Sequence, residues 1–153
     1  MQDFCLVGLP TSLVDGGPTH SSWVARSHLG CYTCLQDEDT VDHILVQCGY
    51  SQATWMGCFD KLRIQISCPV STDSFVEWWM SQRLGFAKED KRGFDTMVIC
   101  TAWSLWKQRN ARVFNRVEQQ VDGQVLVEKI LEELSEWKLG IQGGGSLQRF
   151  VRD

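Results

Sequence analysis

FDTMVICTAWSLWKQRNARVFNRV, from Phe94 to Val117, is the stretch that decides the fold. Its apolar residues recur at three- and four-residue steps, with Val98, Ala102 and Leu105 on one line and Ile99, Trp103, Trp106 and Val113 on another. That period belongs to a helix of roughly 35 Å carrying more than one apolar stripe, and so to the central helix of a bundle. Working outward, Val127, Ile130 or Leu131, Leu134 and Trp137 form one side of a last helix near residues 121–139, with Glu128, Glu132, Glu133 and Glu136 elsewhere on it. Upstream, Asp73 or Ser74 starts a helix carrying Phe75, Val76, Trp78, Trp79 and Met80. Ser51 caps another, in which Trp55, Cys58, Phe59 and Leu62 recur on one face. The mixed-charge run 82–93 reads as a connector. No alternating strand pattern and no internal repeat occurs, so the expected class is all-α, a small helical domain with a long central helix.

The chain divides into an irregular leader at 1–22, a Cys/His module at 23–62, a helical region at 72–140 and a flexible tail at 141–153. Pro10, Pro18 and the Asp15, Gly16, Gly17 turn mark the leader, and Gly143, Gly144 and Gly145 mark the tail. With 153 residues, 43% hydrophobic and 22% charged, the chain can bury one ordinary core. A formal net charge of -4 gives no overall attraction to phosphate, so any nucleic-acid contact must come from a local basic face. The apolar run Phe4 to Leu9 has no basic residue before it and does not read as a secretory signal. Met97 to Trp106 is about half the roughly 20 residues that a membrane span needs. The expected location is intracellular, nucleus or cytoplasm, with no membrane partner.

Seven cysteines is an odd count, and Cys31 and Cys34 have a C-x2-C spacing, which favours metal over a disulfide framework. Cys31-x2-Cys34-x8-His43-x4-Cys48 puts two thiolates on one turn and a His and Cys pair on a second short element, so that four side chains can converge on zinc. Three Cys and one His leave no position for water or substrate, so such a site is structural and the expected fold is a small zinc-stapled helical domain. Thr40 reads as the N-cap of the short element and Gly49 as its stop. Two alternatives stand beside this one: reduced core cysteines, and His28 donating in place of His43. Cys58 and Cys100 lie in apolar stretches and read as core.

The run Cys31-Tyr-Thr-Cys34, then Asp39-Thr-Val-Asp-His43-Ile-Leu-Val-Gln-Cys48 and Trp55, resembles the zinc-binding region that follows the reverse transcriptase in plant LINE-type, non-LTR retrotransposon polyproteins. The segment Ala102 to Phe114 resembles the Trp-x-x-Trp-Lys-x-Arg-Asn-x-Arg-x-Phe stretch of the same elements, in the same order. The resemblance covers roughly Trp23 to Trp137. It implies a retrotransposon-derived C-terminal piece that binds Zn2+ and assists nucleic-acid handling. No aromatic-x-Asp-Asp motif of a polymerase palm is present, so polymerase activity does not carry over, and no Ser, His and acid set points to another catalyst.

Lys107, Arg109, Arg112 and Arg116 lie in a run without acidic residues, and the three arginines at i, i+3 and i+7 share a helical face. That face is the candidate RNA- or DNA-binding surface, for weak binding. Its competing assignment is pairing with Glu128, Glu132, Glu133 and Glu136 of the last helix. Trp103, Trp106, Asn110 and Val113 follow a heptad-like stripe, so the two tryptophans are expected in the core rather than as base-stacking platforms, and Asn110, the odd member, is expected to bind backbone carbonyls or cap a neighbouring element. The alternative function is a protein-protein interaction or structural module, or a decayed fragment without selected function.

Overall fold

The computed structural model describes residues 30–140, with side chains described through 137. The expectations for 1–22, His28 and 141–153 lie outside the described residues. Within them the chain is all-α. A loop at 31–39 that carries Cys31 and Cys34, called the metal loop after its candidate role, and a π-helical turn at His43–Gln47 lead into α1 (Gly49–Leu62), α2 (Phe75–Leu84), α3 (Lys88–Val113) and α4 (Gly123–Gly140), with a 3-10 turn at Val117–Gln119 before α4. Among the described residues the only β-type pairing is an isolated bridge between Gly30 and Glu38.

At 26 residues α3 is the central helix, but it starts earlier than the apolar period shows. Lys88 to Gly93 is helical, not a connector. Glu89 and Asp90 in the first turn complement the helix dipole, and this electrostatic start signal carries no hydrophobic period. The helix also ends earlier, because Asn115 adopts a left-handed conformation with φ 50 and the Arg116 N–H closes back on the Ala111 carbonyl at 2.7 Å. Asparagine is among the few residues that tolerate this cap conformation. Arg116 therefore lies past the helix.

Gly49 does not stop a helix; it begins α1, directly after Cys48 in extended conformation. Ser51 is not the cap expected of it. Its hydroxyl donates to the Ile44 carbonyl, and the Trp55 indole N–H donates to the Leu45 carbonyl at 2.7 Å. The π-helical turn leaves these carbonyls without their usual helical partners, and α1 supplies them. The same turn buries Ile44, Leu45 and Val46 consecutively. Asp42, just before it, accepts the Phe75 N–H at 2.9 Å and so caps α2 from 33 residues away in sequence.

One core joins 23–62 to 72–140: Trp55 meets Trp78 at 5.0 Å between ring centroids, and Phe59 meets Trp78 at 6.2 Å. Leu126, Val127, Ile130 and Leu134 of α4 close the same core. At Gly57 α1 packs tightly against α4, for a Cβ there would stand 2.8 Å from Val127 Cγ2. Val127 is buried and β-branched, so its rotamer cannot swing away. Gly57→Ala gains up to about 1 kcal/mol of helix propensity but overpacks by about 1–3 kcal/mol. We expect a net loss near 1 kcal/mol in urea unfolding, turning into a gain in a Val127→Ala background; stabilisation in the parent chain would contradict this packing.

Among the described residues no helix is long and apolar enough to cross a membrane.

Candidate metal centre

The centre is assembled by two short elements whose backbone geometry differs. In the first, the Cys31 N–H donates to the Asp37 carbonyl at 2.6 Å and the Leu35 N–H to the Cys31 carbonyl at 2.8 Å. Leu35, just past Cys34, takes a left-handed φ of 62, which tightens the turn and directs both sulfurs to one side. In the second, the Thr40 hydroxyl accepts the His43 N–H at 3.1 Å, as expected of a cap. The Cys48 N–H then closes the π-helical turn on the His43 carbonyl at 2.7 Å. The wider turn sets His43 and Cys48 on the side facing the first element.

Cys31, Cys34, His43 and Cys48 come together: one ligand atom from each lies within 4.8 Å of all the others. Cys31 Sγ and Cys48 Sγ are 3.9 Å apart, and Cys34 Sγ is 3.2 Å from His43 Nε2. Cys31, His43 and Cys48 are buried and Cys34 is half-buried. The other ring nitrogen, Nδ1, faces the Asp37 carboxylate at 3.8 Å, a placement that favours the tautomer with Nε2 free to act as a ligand. These four residues can hold a metal ion.

The residue that spacing did not single out is Thr33, inside the first turn. Its hydroxyl stands 2.8 Å from Cys31 Sγ and 3.2 Å from Cys48 Sγ, and its N–H donates to Cys31 Sγ at 3.4 Å. Burial pushes the Cys48 thiol up to about 11, the Thr33 hydroxyl opposing the rise and the charges of Cys31 and Cys34 adding to it. Cys31 is subject to burial as well, but hydrogen bonds from Thr33 and from the Cys34 and Thr33 backbone outweigh it, so that its thiol lies below the ordinary value. Three thiolates this close and largely buried would repel one another, and a bound dication would reverse that balance. Cys58 and Cys100, expected in the core, are buried there, and burial pushes each thiol up to about 12.

The basic residues are dispersed. Arg109 pairs with Asp39 of the metal loop, its Nε 2.9 Å from Oδ2, and lies between the Tyr32 and Trp106 rings at 5.6 and 5.5 Å. Arg112 packs over Tyr50 at 5.3 Å and donates to the Val121 carbonyl. Arg116 lies over Phe114, outside α3. Of the pairings expected with the acidic helix, the one observed among the described residues is Lys107 with Glu133 at 2.9 Å. The four residues thus present no common free face on α3. Trp103 departs from expectation in the opposite direction: it is 55% exposed, not core, and Trp106 is half-buried.

No protein-family model matches the chain, and neither does any curated protein or solved structure, so the cluster's geometry is what speaks for its role.

Proposed function

We propose that the chain is a zinc-stabilised helical module with no catalytic centre of its own, retrotransposon-derived as the resemblance of its Cys/His stretch implies, and acting by binding nucleic acid. The observation that carries the metal part is the convergence of three sulfurs and one imidazole nitrogen within 4.8 Å. Metal-sulfur bonds of roughly 2.3 Å in a tetrahedron give sulfur-sulfur edges of about 3.8 Å, against the 3.9 Å between Cys31 and Cys48. Soft thiolates with one imidazole favour zinc over hard cations, and a full set of four protein ligands supports a structural role. Bound there, zinc would fix the 31–39 loop to the π-helical turn, and through Trp55 and Asp42 to α1 and α2.

Protein purified under reducing conditions is expected to carry about one equivalent of zinc, given the affinity of closed Cys/His sites. Atomic emission on the desalted chain measures it. Less than half an equivalent, with no uptake from added zinc, would remove the metal reading.

A further inference from the structure

Trp103, assigned to the core from its spacing, instead lines an open groove of about 550 Å3. Trp103, Trp106 and Asn110 of α3 form one wall, Arg116 comes from the segment after the helix, and Lys129 from α4. Arg109 occupies the Trp106 ring, but Trp103 stands 55% exposed one turn away. A large indole left in solvent beside cations differs from a core tryptophan in what it can still bury. Lys107 is neutralised by Glu133, whereas Arg116 and Lys129 form no ion pair among the described residues. Glu118 also lines the groove, so the positive excess is small.

We propose that this groove binds an unpaired nucleotide of a single-stranded nucleic acid, the base stacking on Trp103 and the flanking phosphates meeting Arg116 and Lys129. This rests on the nucleic-acid part of the proposed function and moves the contact away from Arg109 and Arg112, which have internal partners. The chemistry fits one class better than its neighbours. An indole face flanked by cations is how sequence-tolerant single-strand sites are built, and a side-chain amide such as that of Gln119 can meet a base edge, as can the NH2 of Asn110, whose Oδ1 accepts from Arg109 at 3.1 Å. A duplex hides the base faces that Trp103 would stack on. An acidic peptide would use the cations but would leave the indole without a flat partner.

The test uses the full zinc-loaded chain and labelled pyrimidine oligonucleotides, read by fluorescence anisotropy at low salt, with RNA and DNA strands as separate arms. Single strands of either kind are expected to bind, and duplex of the same length to bind more weakly. Trp103→Ala should weaken binding roughly tenfold or more while Trp103→Phe retains most of it, by the usual size of base stacking. Zinc content and helicity of both variants should match the parent, because the side chain is mostly exposed. Combined Arg116→Gln and Lys129→Gln should flatten the salt slope of log affinity by about 1.4, at about 0.7 per single-strand phosphate. Binding that ignores Trp103→Ala overturns the groove and leaves the nucleic-acid reading intact; no binding of any strand by zinc-loaded protein overturns both. Displacement by polyglutamate at equal charge concentration assigns the groove to acidic peptides and also overturns the proposal.

Discussion

Cys48→Ser is expected to abolish stoichiometric zinc and to unfold the loop and π-helical turn at temperatures the parent chain withstands. Cys48 has two places, as a sulfur of the candidate metal cluster and as the N-cap residue of α1. Serine is a good N-cap, so the substitution keeps the helix start and removes the thiolate. The two competing accounts of these cysteines then differ in size. If they were ordinary core thiols, burying a hydroxyl in place of sulfur would cost about 1–3 kcal/mol. If they hold zinc, binding and folding share on the order of 10 kcal/mol apparent, comparable to the whole stability of a domain this size. Thermal unfolding followed by far-UV dichroism, with and without a strong chelator, separates them. Chelator should lower the parent's midpoint to that of Cys48→Ser and leave the variant where it was. A parent chain indifferent to chelator, with a variant only slightly weakened, would return Cys31, Cys34 and Cys48 to the core.

The clustering of Cys31, Cys34, His43 and Cys48 was legible because its geometry is nearly local: two residues between Cys31 and Cys34, and four between His43 and Cys48, fix most of the distances. Helices were legible where they bury one face, as in α1 and α4. What failed to show is of three kinds. Charged helix starts such as Lys88 to Gly93 carry no apolar period, and Asn115 stops α3 through a backbone preference that competes with an apolar residue at Val117. The π-helical turn breaks the register on which period-based reading depends, moving the start of α1 to Gly49. The last kind is tertiary. Periodicity says that Trp103 and Leu105 are both apolar helix residues but not which of them α4 and α1 cover, and the structure buries Leu105 and leaves Trp103 exposed. Thr33 had a weak signal, a hydroxyl between two cysteines, whose meaning depends on Cys48 lying across from it.

Arg109→Ala is expected to destabilise the domain by about 3 kcal/mol, the low end of the range for removing one partner of a buried ion pair, because this pair is only part-buried. Helix period placed Arg109 with Arg112 and Arg116 on a phosphate-facing surface, whereas its partner lies 70 residues away in the metal loop. The side chains are only 23% and 11% exposed for Arg109 and Asp39, so solvent screens the pair little. Asp39 already keeps one buried carboxylate oxygen without a partner, and the Arg109 guanidinium compensates the other. Loss of Arg109 would leave that carboxylate buried and uncompensated, and would also open the space between Tyr32 and Trp106. Asp39→Asn combined with Arg109→Met removes the charge problem with little change of volume and should recover most of the loss. The coupling energy from that cycle, by urea unfolding of zinc-loaded protein, should exceed about 2 kcal/mol, above the 0–1 kcal/mol of exposed pairs. Coupling below about 1 kcal/mol would make the pair ornamental to stability. If Arg109→Gln also left the unfolding midpoint in place while flattening the oligonucleotide salt slope by about 0.7, Arg109 would belong with the phosphate contacts after all. The structural placement predicts the reverse: a shifted midpoint, an unchanged slope, and zinc affinity that falls with stability because the pair fastens the metal loop to α3.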